Sequence, residues 1–277
     1  MPEPRATAAP PASPGALLTR AVEFIGDWAA FSAKALAWTF RRRPGPGTLV
    51  PVCYMVGVSS VPVVAVTGMF IGMVLAVQAY GAYKPMGLES WMGTMINMAV
   101  IRELGPVLAA TMVAGRVGTA MAAELGTMRV TDQIDALACL GVDPVHYLVV
   151  PRLLACVLLT PLLTVMSNCL GIIGGAAICL GVFRVVPHHY WSHARDFMEL
   201  WDIGVSMFKP AVFGALIALI SCHRGFHSRG GSEGVGRAAT EAFVLSFLSI
   251  LVLDFFMGLF FNRLHDQLFG PVVPRGS

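Results

Sequence analysis

Long apolar segments separated by short polar loops dominate the chain from about residue 50 to residue 262. Five segments, at roughly residues 50–80, 91–120, 147–183, 205–222 and 239–262, are near or above the ~20 residues that an α-helix needs to cross ~30 Å of hydrocarbon. The pattern predicts an all-α integral membrane protein with five transmembrane helices. The segment at 147–183 fits one tilted helix or a helix with a broken, glycine-rich continuation, so an even number of crossings also remains open.

The segment that precedes the first span has a mixed pattern. Charged side chains alternate there with aliphatic and aromatic ones, and the arginine cluster Arg41-Arg42-Arg43 follows. A helix with a polar face and a terminal basic cluster suits the membrane interface. We therefore predict a disordered, Pro- and Ala-rich leader over residues 1–16 and an interfacial elbow helix over residues 17–43. The transmembrane domain would cover residues 44–265, and residues 266–277 would be a tail that ends in an apparent expression-tag remnant.

The polar segment between the second and third spans predicts one more, shorter helix. Thr131 can cap a helix that begins at Asp132 and Gln133, and Gly141 can end it. A short amphipathic helix at this place can act as a docking knob for a partner protein. The alternative is a solvated loop whose charges only set the topology.

The distribution of Lys and Arg predicts the orientation of the chain. One end of the predicted bundle holds Arg41 to Arg43, Arg116, Arg129, Arg152, Arg224, Arg229 and Arg237. The other end holds Lys84, Arg184, Arg195, Lys209 and Arg263. Because cytoplasmic loops are enriched in Lys and Arg, the denser end is predicted to be cytoplasmic. The N-terminus would then be cytoplasmic and the C-terminus periplasmic.

Composition supports the membrane assignment and excludes other classes. Hydrophobic residues make up 56% of the chain and charged residues 13%, with mean hydropathy +0.71, whereas soluble domains are about 25% charged. The net charge of +3 is too small to indicate a nucleic-acid partner. The six cysteines are scattered without a C-x-x-C pair, so they are interpreted as packing residues.

Two adjacent charges, Arg102 and Glu103, lie inside the second apolar segment and are followed by Leu104-Gly105-Pro106. Buried charges in membrane helices normally face a bundle interior or an aqueous cavity. Asp254 in the fifth segment has a similar predicted depth, so we predict that Arg102 pairs with Glu103 or Asp254. Such a pair either neutralises buried charge and fixes packing, or lines a cavity in which Arg102 binds a lipid phosphate.

Methionines are frequent in the first two spans, and they adapt well to irregular apolar partners. Met73 and Met98 are the candidates that we select to line a lipid cavity. Ordinary helix packing is the alternative interpretation of these methionines.

Two kinds of chemistry are excluded from this chain. No G-x-x-x-x-G-K-[ST] segment is present, so ATP hydrolysis must reside on a partner, and Gly230 to Gly236 is interpreted as a connector. His189 and His193 have the i, i+4 spacing of a metal pair, and so do His223 and His227. The two pairs are predicted to lie on opposite sides of the membrane, so we predict no metalloenzyme and no metal or cofactor on this chain.

Several long motifs together resemble the MlaE/YrbE permease family, the membrane subunits of ABC transporters linked to MCE-domain proteins. The motifs are Arg102 to Leu108, Ala114 to Gly118, Ala123 to Leu137, Gly141 to Pro144, and Gly230 to Ala238. The resemblance covers roughly residues 17–265. It implies one interfacial helix and five transmembrane helices, as hydropathy also predicts.

The resemblance further implies a homodimer in a bacterial inner membrane that moves phospholipid to or from a periplasmic MCE-domain oligomer, maintaining outer-membrane lipid asymmetry. A cytoplasmic ABC ATPase dimer that binds ATP and Mg would drive it, and a small STAS-domain protein accompanies some relatives. The residues expected to couple to the ATPase are Glu124, Arg129, Asp132, Gln133, Asp135 and Leu137. Two alternatives remain open, namely an ion- or proton-coupled secondary carrier that uses Glu103 and Asp254 as a relay, and a scaffold without transport.

Overall fold

The computed structural model describes residues 14–41, 45–196 and 198–269. The described residues form helices and no strand, which confirms the all-α prediction. The first helix, α1, begins at Pro14, before the predicted start at residue 17. The rest of the predicted leader, residues 1–13, and the tag-like end, residues 270–277, lie outside the described part of the chain.

Five helical segments within the described residues are long and apolar enough to cross a membrane, as hydropathy predicts. These spans, numbered first to fifth in chain order, are Gly47–Met86, Glu89–Val130, Val145–Gly181, Leu200–Phe226 and Gly231–Leu268.

The spans are built from regular helices that are joined in places by tighter or wider turns. The α-helices are α1 (Pro14–Arg41), α2 (Pro46–Val56), α3 (Val61–Tyr83), α4 (Met92–Ala99), α5 (Gly105–Val113), α6 (Thr119–Val130), α7 (Gln133–Cys139), α8 (Val150–Gly181), α9 (Pro187–Asp196), α10 (Leu200–Phe226) and α11 (Gly231–Phe269). The first span contains a 3₁₀ turn at Val58–Ser60, and π-helical turns occupy Val100–Leu104, Ala114–Gly118 and Val145–Val149. We call the end of the bundle at which α7 lies the α7 end, and the end at which α9 lies the α9 end.

The third span resolves the ambiguity in the sequence, because α8 is one continuous helix. Its glycines are contact points with α3 rather than breaks. A Cβ atom on Gly72 of α3 would lie 1.8 Å from the carbonyl oxygen of Gly171, and one on Gly174 would lie 2.4 Å from that of Met69. Small residues allow such close backbone approach between membrane helices.

The fourth span, α10, lies at the centre of the fold between α8, α6 and α11. Its inward residues, including Phe213 and Ile217, are fully buried in the larger apolar core. A smaller core lies toward the α9 end, where Tyr190 of α9 packs with Met92 and Ile96. The centre of the fold is therefore tightly packed, and α10 can place polar side chains out of contact with lipid.

Helix α7 confirms the predicted short helix but not its predicted cap. The residue before α7 is Asp132, which adopts a left-handed conformation with φ 57°, and the Thr131 hydroxyl donates to the carbonyl oxygen of Thr127 instead. Thr131 is therefore not the cap, because its side chain closes the preceding helix. Gly141 ends α7 as predicted, with φ 79°, and the Val142 N–H reaches back to the Leu137 oxygen.

Helix α1 is fastened to the α7 end by a polar contact. The Lys34 ammonium lies 3.0 Å from the Asp143 carboxylate, and Trp38 packs against His146. Burial raises the pKa of Asp143, but the contact with Lys34 and the N–H groups of Val145 and His146 outweigh it, so the pKa is lowered overall.

This contact gives a pH-dependent prediction. A lowered folded-state pKa means that the Asp143 contribution to stability is complete above the unfolded pKa of about 3.9 and is lost as the pH falls through the folded value. We expect the thermal stability difference between the wild type and Asp143→Asn to stay constant from about pH 5 to 8 and to disappear in stronger acid. Thermal unfolding of both proteins in detergent across this range checks it, and a difference that grows in acid would contradict it.

Candidate functional site

The second span changes its helical winding where the predicted charges lie. Arg102 and Glu103 are in the π-helical turn Val100–Leu104, and Gly105 and Pro106 follow. Because proline has no N–H group, Pro106 cannot donate the usual helical hydrogen bond to the carbonyl oxygen of Arg102. The Lys209 ammonium donates to that oxygen at 3.3 Å. A side chain from α10 therefore stabilises the irregular turn of the second span, and π-helical turns of this kind are frequent at functional sites.

Lys209 is the centre of the charge cluster. Its side chain is 1% exposed, and its ammonium lies 2.8 Å from Glu103 and 3.0 Å from Asp254. The three residues come from the second, fourth and fifth spans. Lys209 therefore joins three transmembrane helices through charge, and it compensates two carboxylates that would otherwise be costly in this environment.

Arg102 is held by a different carboxylate. Its Nε and Nη2 atoms lie 2.7 Å and 3.1 Å from the two oxygens of Asp202, in the forked geometry that arginine favours. Asp202 is buried in the first turn of α10, where it forms a capping box with Glu199. Glu199 in turn contacts His265 at 2.9 Å. The beginning of α10 is therefore linked to both the second and the fifth spans.

These contacts correct the predicted pairing. The prediction that Arg102 pairs with Glu103 or Asp254 is wrong, because Asp202 binds Arg102 and Lys209 binds the other two carboxylates. Sequence analysis counted Lys209 only among the basic residues at the less basic end of the bundle, whereas the structure buries it inside α10. The signal that could have found Lys209 was a single lysine followed by proline within a long apolar segment, which indicates a buried charge in the same way as Arg102 does.

A cavity of about 210 Å³ lies beside the cluster. Its lining residues are Arg102, Glu103, Trp201, Asp202, Val205, Lys209, Gly258, Phe261, Asn262, His265 and Asp266. Glu103 is 50% exposed and Arg102 is 35% exposed, so both can meet a bound molecule. Two cations and three carboxylates give the cluster a formal charge of −1 when all five are ionised. The site thus offers both signs of charge next to aromatic and aliphatic walls.

The two methionine candidates lie in different surroundings. Met98 lines a small cavity together with Arg102 and Asp202, close to the charge cluster. Met73 is half-buried on α3. The cavity at the charge cluster is built by the second, fourth and fifth spans, so the structure brings Met98 to this site and places Met73 on a different span.

The candidate coupling residues lie around α7. Gln133, Asp135 and Asp132 are exposed, and Asp135 pairs with Arg129 at 2.5 Å. Glu124 pairs with the buried Arg152 at 2.8 Å.

Two leucines of the α7 region face in different directions. Leu137 packs toward the core near the buried Ile134, so it fastens α7 rather than presenting a docking surface. Leu140 is 78% exposed at the end of α7. Sequence analysis did not select this exposed leucine, because it follows the last residue of α7 and the sequence pattern does not show which way the end of so short a helix faces.

The fold and the site define a polytopic α-helical membrane protein of the transporter-subunit class. It has a cluster of charges among its spans and a short exposed helix at one end, and its sequence contains no nucleotide-binding loop. A family model described as Permease MlaE matches residues 49–260. The chain therefore belongs to the MlaE permease family of ABC transporter permeases.

Individual relatives agree with this assignment. A probable ABC transporter permease protein of Synechocystis sp. is 42% identical over 217 residues, which cover 78% of this chain and 82% of the relative. A probable ABC transporter permease protein of Rickettsia felis is 39% identical over 241 residues, which cover 86% of this chain and 92% of the relative. The chain is also 39% identical to the chloroplast protein TRIGALACTOSYLDIACYLGLYCEROL 1 of Arabidopsis thaliana, covering 74% of this chain and 59% of that protein.

Proposed function

We propose that this permease acts as a homodimer in a bacterial inner membrane and moves phospholipid between that membrane and a periplasmic MCE-domain oligomer. A cytoplasmic ABC ATPase dimer supplies the energy from ATP and Mg, and a small STAS-domain protein completes the complex. The transport maintains the lipid asymmetry of the outer membrane. The observation that carries this proposal is the cavity in which the Lys209 cluster lies beside apolar walls.

The chemistry of the cavity fits a phospholipid headgroup with charges of both signs. A phosphate can accept hydrogen bonds from the exposed part of Arg102, and an ammonium group can approach Glu103. The aromatic rings of Trp201 and Phe261 provide apolar surface at the same cavity. Lys209 is saturated by two carboxylates, so its role in this proposal is to hold the helices and the charge balance.

The position of α7 fits a mechanical connection to an ATPase. Helix α7 directly follows α6 in the chain, and α6 is the last part of the second span, which also contains Glu103. At 1.5 Å per residue, the helical path from the charge cluster to the end of α6 is roughly 40 Å. Movement of α7 by a partner can therefore be transmitted along one span to the cavity.

The orientation follows from the same assignment. In this proposal the α7 end and the N-terminus are cytoplasmic, and the α9 end and the C-terminus are periplasmic.

The Arabidopsis relative bears the name of a galactolipid, which supports a lipid as the transported molecule of this chain as well.

Purification with the co-encoded neighbouring proteins tests the proposal. The complex is extracted from membranes without added lipid, and its bound proteins and lipids are identified by mass spectrometry. An ABC ATPase, an MCE-domain protein and bound phospholipid are the expected components. A permease that is recovered alone would contradict the proposal and favour a proton-coupled carrier, in which Glu103 and Asp254 relay protons.

A substitution directly after α7 separates docking from folding. Leu140→Glu places a charge on a side chain that is 78% exposed, so we expect thermal stability within about 0.5 kcal/mol of the wild type. Capture of the ATPase should fall because the apolar contact at the coupling helix is lost. Leu268→Glu makes the same change on a side chain that is 62% exposed at the α9 end, and it should leave capture intact. Equal capture by both variants would contradict docking at α7.

A further inference from the structure

The α7 end contains a second polar cluster, distant from the Lys209 cavity, in which three potential metal ligands come together. His223 and His227 lie one turn apart at the end of α10, and Asp27 of α1 faces both. One ligand atom from each residue lies within 4.8 Å of the other two. The prediction of no metal on this chain considered only the two histidine pairs, whereas the structure adds to His223 and His227 a third potential ligand from a helix almost two hundred residues earlier.

The two distances from the Asp27 carboxylate are close to those between neighbouring ligands of a tetrahedral metal site. The Asp27 Oδ2 atom lies 3.2 Å from His223 Nε2 and 3.4 Å from His227 Nε2. In a tetrahedral zinc site with bonds of about 2.0–2.1 Å, neighbouring ligand atoms are separated by about 3.3–3.4 Å. The second contact exceeds the usual range for an N–H···O hydrogen bond, whereas both contacts fit two ligands of one ion.

Hydrogen bonding fixes which nitrogen of His227 is available to a ligand. The Nδ1 atom lies 2.8 Å from the carbonyl oxygen of His223, and since a carbonyl only accepts, Nδ1 must carry the proton. In the neutral ring Nε2 then presents a lone pair toward the Asp27 carboxylate. Two lone pairs that face each other repel, so this arrangement is satisfied either by a metal ion between them or by a second proton on the His227 ring, which would make an ion pair with Asp27. A backbone carbonyl that orients a histidine in this manner is typical of metal sites.

The surroundings provide rigidity and access. Phe31 of α1 packs edge-on against both imidazole rings, with ring centroids 5.4 Å and 6.4 Å away. His223 is buried, while the Asp27 side chain is 60% exposed. A cavity of about 530 Å³ opens beside Asp27 and His227 and leaves room for a water molecule as a fourth ligand.

We propose that Asp27, His223 and His227 form a binding site for a divalent transition-metal ion of the zinc class. Two imidazoles and one carboxylate are a ligand set that zinc accepts, with the fourth position open to water. The bound ion connects α1 to the end of α10, so it fastens the N-terminal helix to the helix that carries Lys209. This site is independent of the lipid proposal, because it contains none of the residues that line the charged cavity.

Metal titration of the purified full-length permease, without a polyhistidine tag, tests the site. Co²⁺ is the spectroscopic probe and Zn²⁺ the competitor, in detergent that contains native lipid. We expect the visible absorption of four-coordinate Co²⁺, its displacement by Zn²⁺, and one Zn²⁺ per chain. The absence of this absorption, or a stoichiometry near zero, would overturn the proposal and leave an ion pair between Asp27 and the histidines.

Variants assign the ligands. Loss of an outer-shell partner lowers metal affinity 10–100-fold, so Asp27→Asn and His227→Gln, which remove direct ligands, should each lower it by more than about 100-fold. His146→Gln is the matched control, because His146 also contacts α1, through Trp38, but lies outside the cluster. It should retain wild-type affinity. Unchanged affinity in Asp27→Asn, whose exposed side chain makes misfolding an inadequate explanation, would overturn the assignment.

Hydrogen exchange tests whether the bound ion connects α1 to the end of α10. Zn²⁺ should slow amide exchange in the part of α1 around Asp27 and Phe31 in the wild type and in His146→Gln, but not in Asp27→Asn. Slower exchange only in the first two proteins supports a bridge between α1 and α10. Exchange that is insensitive to Zn²⁺ in the wild type would overturn the bridge.

Discussion

Replacing Lys209 with methionine is expected to destabilise the protein by about 3–5 kcal/mol, the usual cost of removing one partner from a buried ion pair. The substitution leaves Glu103 and Asp254 facing each other without a cation and removes the donor to the Arg102 carbonyl oxygen. The second, fourth and fifth spans should separate at this level, and lipid movement should stop. Thermal unfolding in detergent and a lipid-transfer assay measure the two effects.

The matched control makes the same chemical change at an exposed lysine. Lys84 lies over the ring of Tyr80 at the α9 end of the first span, and Lys84→Met should change stability by less than about 0.5 kcal/mol. Adding Glu103→Gln and Asp254→Asn to Lys209→Met removes the uncompensated charges and should recover most of the lost stability. If Lys209→Met were as stable as Lys84→Met, the cluster would not hold the spans together.

The second large effect is expected where α3 and α8 touch. An alanine at position 72 would place its Cβ atom 1.8 Å from the carbonyl oxygen of Gly171. The obstructing atom belongs to a backbone, so no side chain can rotate away and the two helices must move apart. Overpacking of this kind costs typically 1–3 kcal/mol, and we expect Gly72→Ala to reach or exceed the upper value. Thermal unfolding in detergent measures the loss.

Gly81 provides the control within the same helix. A Cβ atom at that position meets nothing within 4 Å, and alanine in a helix is favoured over glycine by roughly 0.5–1 kcal/mol. Gly81→Ala should therefore be neutral or slightly stabilising. Similar destabilisation by both variants would show that general helix effects, rather than the α3–α8 contact, decide the result.

Local pattern was sufficient to predict the spans and the short helix. Each span is apolar over about the thickness of a bilayer, and hydropathy requires no knowledge of neighbouring helices. The end of α7 was also predictable, because Gly141 has the positive φ that glycine adopts without strain. The residue that caps the start of α7 was not predictable, because the Thr131 hydroxyl donates instead to the carbonyl oxygen of Thr127 in the preceding turn.

The charge network was only partly predictable because its pairs join different helices. Arg102 and Glu103 stood out as charges in an apolar segment, but they are adjacent in the chain and bind separate partners, Asp202 and Lys209. The fourth span was expected to begin near residue 205, so Asp202 appeared to precede it. In the structure the span begins at Leu200, and the capping box with Glu199 brings Asp202 into the first turn.

The glycines of α8 show a similar limit. A glycine-rich segment is compatible with a broken helix or with close contact to another helix, and the sequence alone leaves both open. In the structure α8 is continuous, and its small residues Ser167 and Gly171 lie against small residues of α3, Gly68 and Gly72. Such complementarity is a property of two segments that are about one hundred residues apart.

The most direct test of the proposed transport uses the purified permease reconstituted in liposomes with its ATPase and MCE-domain partners. Movement of a fluorescent phospholipid from the liposomes to the MCE-domain protein, or back, is followed with ATP and with a non-hydrolysable analogue. We predict movement that requires ATP hydrolysis and fails in the folded triple variant Lys209→Met, Glu103→Gln, Asp254→Asn. Movement driven by a proton gradient without ATP, or wild-type movement in the triple variant, would contradict it.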